Sequence, residues 1–131
     1  MNYEVAKECT ILSSKEQISF PEVVHRLSQA GIESYYADLL SSTKTYYAGN
    51  IAFTDDIKLN FKAEVSDTFR TEDVINAIRQ IQLEEIQYQT FLKKIMDSGV
   101  IGYFVFIKGH KAIYFGRKGE YHIEEFPNKN K

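Results

Sequence analysis

The chain has 131 residues, of which 44% are apolar and 26% charged, with a net charge of −2. This weakly acidic balance excludes the basic footprint typical of proteins that bind duplex nucleic acid, and a single cysteine excludes an intrachain disulfide and a cysteine-rich zinc site. Residues 1–10 are charged and lack the apolar segment of a signal peptide, and no apolar run reaches the length of a membrane span. We therefore predict a cytoplasmic protein.

The first predicted helix runs from Tyr3 to Ser14, because Val5, Cys9 and Leu12 fall on one helical face. Cys9 on that face is interpreted as a small buried apolar side chain rather than as a nucleophile.

A capping box predicts the start of a second helix. The Ser19 hydroxyl can accept from the backbone N–H of Glu22, and the Glu22 carboxylate can return to the N–H of Ser19. Gly31 lies where that helix needs a residue with positive φ to end.

The stretch from Phe20 to Tyr47 recurs without a gap as Tyr88 to Phe115, at an offset of 68 positions. Each copy follows the order helix, glycine, strand, turn and strand, and a third strand follows if two residues are inserted in the second copy. The identical pairs are Gly31 and Gly99, Tyr35 and Tyr103, and Tyr46 and Tyr114. The pattern predicts an internal duplication.

Two further elements complete the predicted chain. Residues 57–65 alternate apolar and polar side chains, which predicts a strand with one buried face. A helix from Thr71 to about Glu85, with Thr71 as its N-cap, is the counterpart of the first helix.

The predicted fold class is α+β, with a mainly antiparallel sheet of six or seven strands and four helices packed on one side. Residues 1–127 form a single domain. Its two helix-helix-β-hairpin(-β) repeats, at about 3–53 and 71–126, are joined by the strand at 57–65. Residues 128–131 form a flexible tail.

Phe104 and Phe106 occupy the face of their strand that should meet water, where the first copy has Tyr36 and Asp38. The strand is either buried on both sides by the chain itself, or it presents an aromatic patch to a second subunit or a ligand. Base stacking on such a patch is disfavoured by the acidic charge balance, so nucleic acid is not the predicted partner.

Other candidates would line a cleft between the two repeats: Tyr35, Tyr103, Asp38 and His122. His122 and Glu124 point the same way on the last strand, but a metal site would need a third ligand from elsewhere. Charged side chains that block edge pairing are the simpler interpretation of that strand. No phosphate loop, nucleophile elbow, paired-histidine motif or dinucleotide fingerprint occurs, so we predict no cofactor and no catalytic residue.

The repeated residues, with the motifs Tyr114-Phe115-Gly116 and Glu124-Glu125-Phe126-Pro127, resemble the YbcV-like family of small bacterial and prophage proteins. Some members carry the label "phage envelope protein". The resemblance runs from about Ile18 to Pro127 and implies a shared fold, but it supplies no activity.

The chain also departs from that family. Members tend to have tryptophan followed by an acidic residue on the first strand of the second half, where this chain has Tyr103 and Phe106, while its first half keeps Asp38. Cysteines that are often found in the second helix of the family are absent. Any chemistry that depends on those residues is therefore lacking here.

Two functions remain open on the sequence. The favoured hypothesis is a non-enzymatic cytoplasmic interaction module, of prophage origin, that forms a homodimer through the Phe104 and Phe106 face. The alternative is a small-ligand-binding protein or enzyme with its site between the two repeats, for a ligand of unknown identity.

Overall fold

The computed structural model describes residues 2–126, so the predicted tail lies outside the described residues. Its elements, in chain order, are α1 (Tyr3–Ser14), α2 (Phe20–Gln29), β1 (Ser34–Asp38), β2 (Thr43–Ala48), β3 (Ile51–Asp56), α3 (Thr71–Gln82), α4 (Tyr88–Asp97), β4 (Val100–Phe106), β5 (Lys111–Gly116) and β6 (Tyr121–Glu125). The predicted α+β class is confirmed. Within residues 2–126, every helix is too short or too polar to cross a membrane.

The six strands form one antiparallel sheet in the order β3-β2-β1-β4-β5-β6. Each half of the chain contributes a meander of three neighbouring strands, and the pairing of β1 with β4 joins the two meanders. In that pairing Tyr36 lies opposite Phe104, the residue 68 positions later in the chain. The two halves are therefore related by a pseudo-twofold axis that passes between these residues.

The turns of the two halves also match. Three pairs of residues with positive φ are separated by 68 positions: Glu16 and Glu84, Gly31 and Gly99, and Ser42 and His110. The backbone thus has the same conformation at equivalent turns, as a duplication would require. Descent of both halves from one ancestral unit stays a prediction.

The third strands of the two halves, β3 and β6, correspond at a different offset from the predicted one. Phe53 pairs with Tyr46, and His122 pairs with Tyr114, so β3 and β6 correspond at an offset of 69. The predicted insertion of two residues is wrong for these strands, because it matched their sequences and not their hydrogen-bonding register. Residues 121 and 123 consequently face away from the helices.

The core lies between the helices and one face of the sheet. Leu27 of α2 and Leu92 and Ile95 of α4 are fully buried there, together with Tyr46 and Val105 from the sheet. On the strands, these buried side chains alternate with half-exposed ones. The second face of the sheet carries the half-exposed and exposed side chains, and we call it the open face.

Two predictions about the N-termini of helices α2 and α3 need correction. The Ser19 hydroxyl accepts from the backbone N–H of Glu22 at 3.4 Å, as predicted, but the Glu22 carboxylate pairs with Arg26 at 3.0 Å instead of returning to Ser19. Only one of the two expected capping hydrogen bonds therefore forms. The N-cap of α3 is Arg70 rather than Thr71.

The predicted strand at 57–65 is wrong. The segment alternates buried and exposed side chains, with Ile57 and Val65 buried, but it pairs with no strand of the described chain. It contacts α4 instead: the N–H of Asn60 donates to the Gln89 side chain, and the N–H of Ser66, just past the segment, donates to the carbonyl of Met96. At the start of the segment, the N–H of Ile57 donates to the carbonyl of Ser42. The alternation of apolar and polar residues arises here because an extended segment packs on a helix. Every second side chain is then buried although the segment is not part of a sheet.

Candidate interaction surface

The open face presents its side chains in three rows, because all six strands are paired residue by residue. The rows, from β3 to β6, are Asp56, Thr43, Asp38, Gly102, Phe115 and Tyr121; Thr54, Thr45, Tyr36, Phe104, Ile113 and Ile123; and Ala52, Tyr47, Ser34, Phe106, Lys111 and Glu125. The pairing register thus determines which side chains share a row.

The rows divide the open face into two chemically different halves. The apolar half, on β4 to β6, consists of Phe104, Phe106, Ile113, Phe115, Tyr121 and Ile123. The hydroxyl half, on β1 to β3, consists of Ser34, Tyr36, Thr43, Thr45, Tyr47 and Thr54. Tyr121 is 63% exposed and Ile123 is 46% exposed, so the apolar half remains accessible at its outer edge.

Aromatic rings connect the two halves. The rings of Phe104 and Phe106 stack with centroids 4.7 Å apart and an interplanar angle of 8°, and Tyr47 stacks on Phe104 at 5.7 Å. Tyr36 contacts the same Phe104 ring at 5.3 Å. Such pairs gain energy beyond the area they bury, so the four rings form a preorganised aromatic patch.

Gly102 makes room for one of these rings. A Cβ atom at Gly102 would lie 2.7 Å from Cζ of Tyr36, so the tyrosine can lie across β4 only because residue 102 has no side chain. Partial burial raises the pKa of the Tyr36 phenol, and the neighbouring Asp38 carboxylate raises it further. The ring is therefore a neutral hydrogen-bonding group at physiological pH.

Asp38 lies on the open face as predicted, but its carboxylate is engaged. It accepts from the backbone N–H groups of Leu40 at 2.9 Å and Ser41 at 3.1 Å, in the turn between β1 and β2. Asp38 therefore stabilises a turn, as aspartate commonly does in that position.

The structure does not bring the four predicted cleft residues together. Tyr35 and Tyr103 are buried in the core beneath the helices, whereas Asp38 lies on the opposite face of the sheet. His122 lies at the β6 edge, with its Nε2 3.2 Å from Glu124, whose carboxylate also pairs with Arg79 at 2.9 Å. Charge pairing therefore links α3 to β6 at the place where a metal site was considered.

The family model described as "Protein of unknown function (DUF1398)" matches residues 8–125. The chain belongs to the DUF1398 family. No curated protein matches the sequence. The match covers both meanders, so the complete six-stranded sheet belongs to one DUF1398 domain.

The core of this DUF1398 domain contains a residue that the sequence reasoning missed. Lys44 is only 2% exposed, and its ammonium lies 5.1 Å from the centre of the Tyr35 ring and 5.2 Å from that of Tyr88. Burial opposes its charge, but the phenols of Tyr88, Tyr46 and Tyr35 favour it, and the net effect raises the pKa of Lys44. Cation–π contacts thus stand in for a carboxylate partner.

Two hydroxyl groups of the same core are also paired. The hydroxyls of Tyr46 and Thr10 are 2.5 Å apart, and Thr10 also donates to the carbonyl of Ala6. The nearby Cys9 is only 1% exposed. This burial raises the pKa of its thiol, which therefore stays protonated. The interpretation of Cys9 as a buried apolar side chain agrees with this environment.

Two kinds of potential ligand site can be assessed in the described part of the DUF1398 domain. Within residues 2–126, no group of three His, Cys, Asp or Glu side chains is arranged to hold a metal ion. A shallow groove at the seam of the two halves is lined by mostly polar residues, including Glu16, Asn60, Gln87 and Lys93. None of the predicted site residues lines it.

Proposed function

We propose that this DUF1398 protein is a non-enzymatic interaction module that acts in the cytoplasm and forms a homodimer through the open face of its sheet. The observation that supports this proposal most directly is the apolar half, where six large apolar side chains remain half-exposed or exposed on the face of the sheet opposite the core. Exposed apolar patches on soluble proteins commonly mark interaction sites.

The size of the open face limits the strength of the dimer. Six strands, each about 4.8 Å wide, and three rows, each about 6.7 Å long, give a face of roughly 580 Å². Two such faces would bury about 1,200 Å² in all, at the lower end for specific interfaces. We therefore expect a dissociation constant in the micromolar range.

The alternative, a small-ligand site between the halves, has less support from the geometry. Tyr35 and Tyr103 are enclosed in the core, Asp38 binds its own turn, and His122 pairs with Glu124. The four predicted cleft residues therefore do not form a shared site in the described part of the chain.

We also propose that the chain is related to the YbcV-like family and derives from a prophage. The support is the residue pattern described above, from the repeated tyrosines to the Glu124-Glu125-Phe126 motif. Sequencing of the genomic region that encodes the chain tests this proposal. Phage genes on both sides would support it, and a neighbourhood of housekeeping genes would contradict it.

The homodimer is tested by light scattering on a sizing column, over a concentration range from about 1 µM to several hundred µM. The mass should rise from 15.2 kDa towards twice that value. Replacing Phe104 and Phe106 together by threonine should weaken association about thirtyfold or more, as loss of a central aromatic anchor does in other interfaces.

A matched control replaces an exposed apolar residue elsewhere. Leu83 is 68% exposed and follows α3, away from the open face. The Leu83→Thr variant should associate like the wild type. A wild-type mass of 15.2 kDa at every concentration would refute the homodimer.

A further inference from the structure

Provided that the proposed homodimer forms, we infer how its second copy is oriented. The twofold axis lies in the interface and is perpendicular to the strands. It runs along the middle row of the open face. The middle row runs from Thr54 through Tyr36 and Phe104 to Ile123. This rotation keeps the strand order and exchanges the two outer rows.

In this orientation, side chains of similar polarity in the two copies face each other. Because each strand faces the same strand of the second copy, the apolar half covers the apolar half, and the hydroxyl half covers the hydroxyl half. Middle-row residues such as Ile113 and Thr45 then face their own counterparts across the axis. The entire face is used, so the interface reaches the full area of about 1,200 Å².

The charges on the open face are also accommodated. The rotation places Lys111 against Phe115 of the second copy and Glu125 against Tyr121 of the second copy. An ammonium over an aromatic face is attractive, and a phenol can donate to a carboxylate. The two aspartates, Asp38 and Asp56, meet Ser34 and Ala52 of the second copy, so no two charges of the same sign are opposed.

An axis parallel to the strands is less favourable in either of its two main positions. If it passed between β1 and β4, the apolar half would cover the hydroxyl half, so that hydroxyl groups would be desolvated against apolar side chains. If it ran along β5, Lys111 would face itself, and only three strands would overlap. The second case also halves the buried area.

Cross-linking distinguishes these orientations, because the one native thiol is buried and a single engineered cysteine then gives a defined link. With a short bifunctional maleimide, Thr45→Cys should cross-link to its own copy, since residue 45 lies on the proposed axis. Phe115→Cys should not, because its two copies would be separated by about 14 Å along the strands. A mixture of Phe115→Cys and Lys111→Cys should form a mixed cross-linked dimer.

The outcomes separate this inference from the proposed function. If Phe115→Cys links to itself and Thr45→Cys does not, the axis runs along the strands and the inferred orientation is wrong. If the wild type is a dimer by light scattering but neither Thr45→Cys nor the mixture links, the orientation fails and the proposed function survives. A monomeric wild type would overturn both.

Discussion

Gln89 connects three parts of the chain, and its replacement by leucine should destabilise the fold. The side chain is 4% exposed, and its amide nitrogen donates to the carbonyls of Ser14 at 3.0 Å and Lys58 at 2.8 Å. Its amide oxygen accepts from the N–H of Asn60 at 3.1 Å. One side chain therefore ties the end of α1 and the 57–65 segment to α4.

Leucine has a similar volume but can make none of these hydrogen bonds. Each buried hydrogen bond contributes about 1 kcal/mol, and a polar group left without a partner costs about 1–3 kcal/mol. Water can reach Lys58, which is exposed, so we expect a total loss of about 3 kcal/mol. Set against the usual total of roughly 5–15 kcal/mol, this should lower the melting temperature by about 10 °C.

The assay is urea unfolding followed by circular dichroism, with Gln87→Leu as the matched control. Gln87 lies two residues earlier, is exposed and makes no side-chain capping hydrogen bond. Hydrogen exchange adds a local readout, because the N–H of Asn60 loses its acceptor and should exchange faster. If Gln89→Leu and Gln87→Leu unfold within about 0.5 kcal/mol of each other, the proposed role of Gln89 is wrong.

Two further predictions concern backbone strain and alkaline pH. Gly31 and Gly99 have φ values of +80° and +94°, so alanine at either position should cost roughly 1–2 kcal/mol. Gly99→Ala should cost a further 1–3 kcal/mol or so, because its Cβ would also meet the carbonyl of Thr68 and lie 2.7 Å from Cα of Phe69, while nothing lies within 4 Å at Gly31; equal melting temperatures for the two variants would contradict this. Burial raises the pKa of the four core tyrosines above the usual 10.0: Tyr35, Tyr46, Tyr103 and Tyr114. A raised folded-state pKa gives stability that is complete below pH 10 and is lost as the pH rises further, so absorbance at the tyrosinate band should show these phenols ionising only as circular dichroism reports unfolding. Ionisation of all the tyrosines near pH 10 with the fold intact would show that the phenols are accessible.

The helices and hairpins could be predicted because their signals are local. Ser19 is an N-cap, and Gly31 ends α2, within a few residues of the helix that each one bounds. Period-two alternation at β1 and β4 likewise depends on neighbouring residues alone. The same alternation failed at 57–65, because an extended segment on a helix surface and a half-buried strand give identical patterns.

The candidate site was predictable only in part. Phe104 and Phe106 stand out because they replace Tyr36 and Asp38 on a face that should meet water. The same alternation puts Tyr35 and Tyr103 on the opposite face, but it could not indicate that the helices would enclose both rings completely. Lys44 was missed for a related reason: a lysine between two threonines suggests exposure, and only the tertiary structure shows its aromatic surroundings.

The pairing of β1 with β4 has a consequence for how the chain reaches its native state. All other strand pairs join elements that are adjacent in the chain, whereas β1 and β4 bring together residues 64 to 72 positions apart. Each meander can therefore form from local contacts, and closure of the large loop between the two carries most of the entropic cost. The slowest step of folding should then be the meeting of two preformed half-sheets. In stopped-flow experiments, substitutions at Tyr36 should slow refolding, whereas substitutions at Ile123 on the edge should mainly speed unfolding.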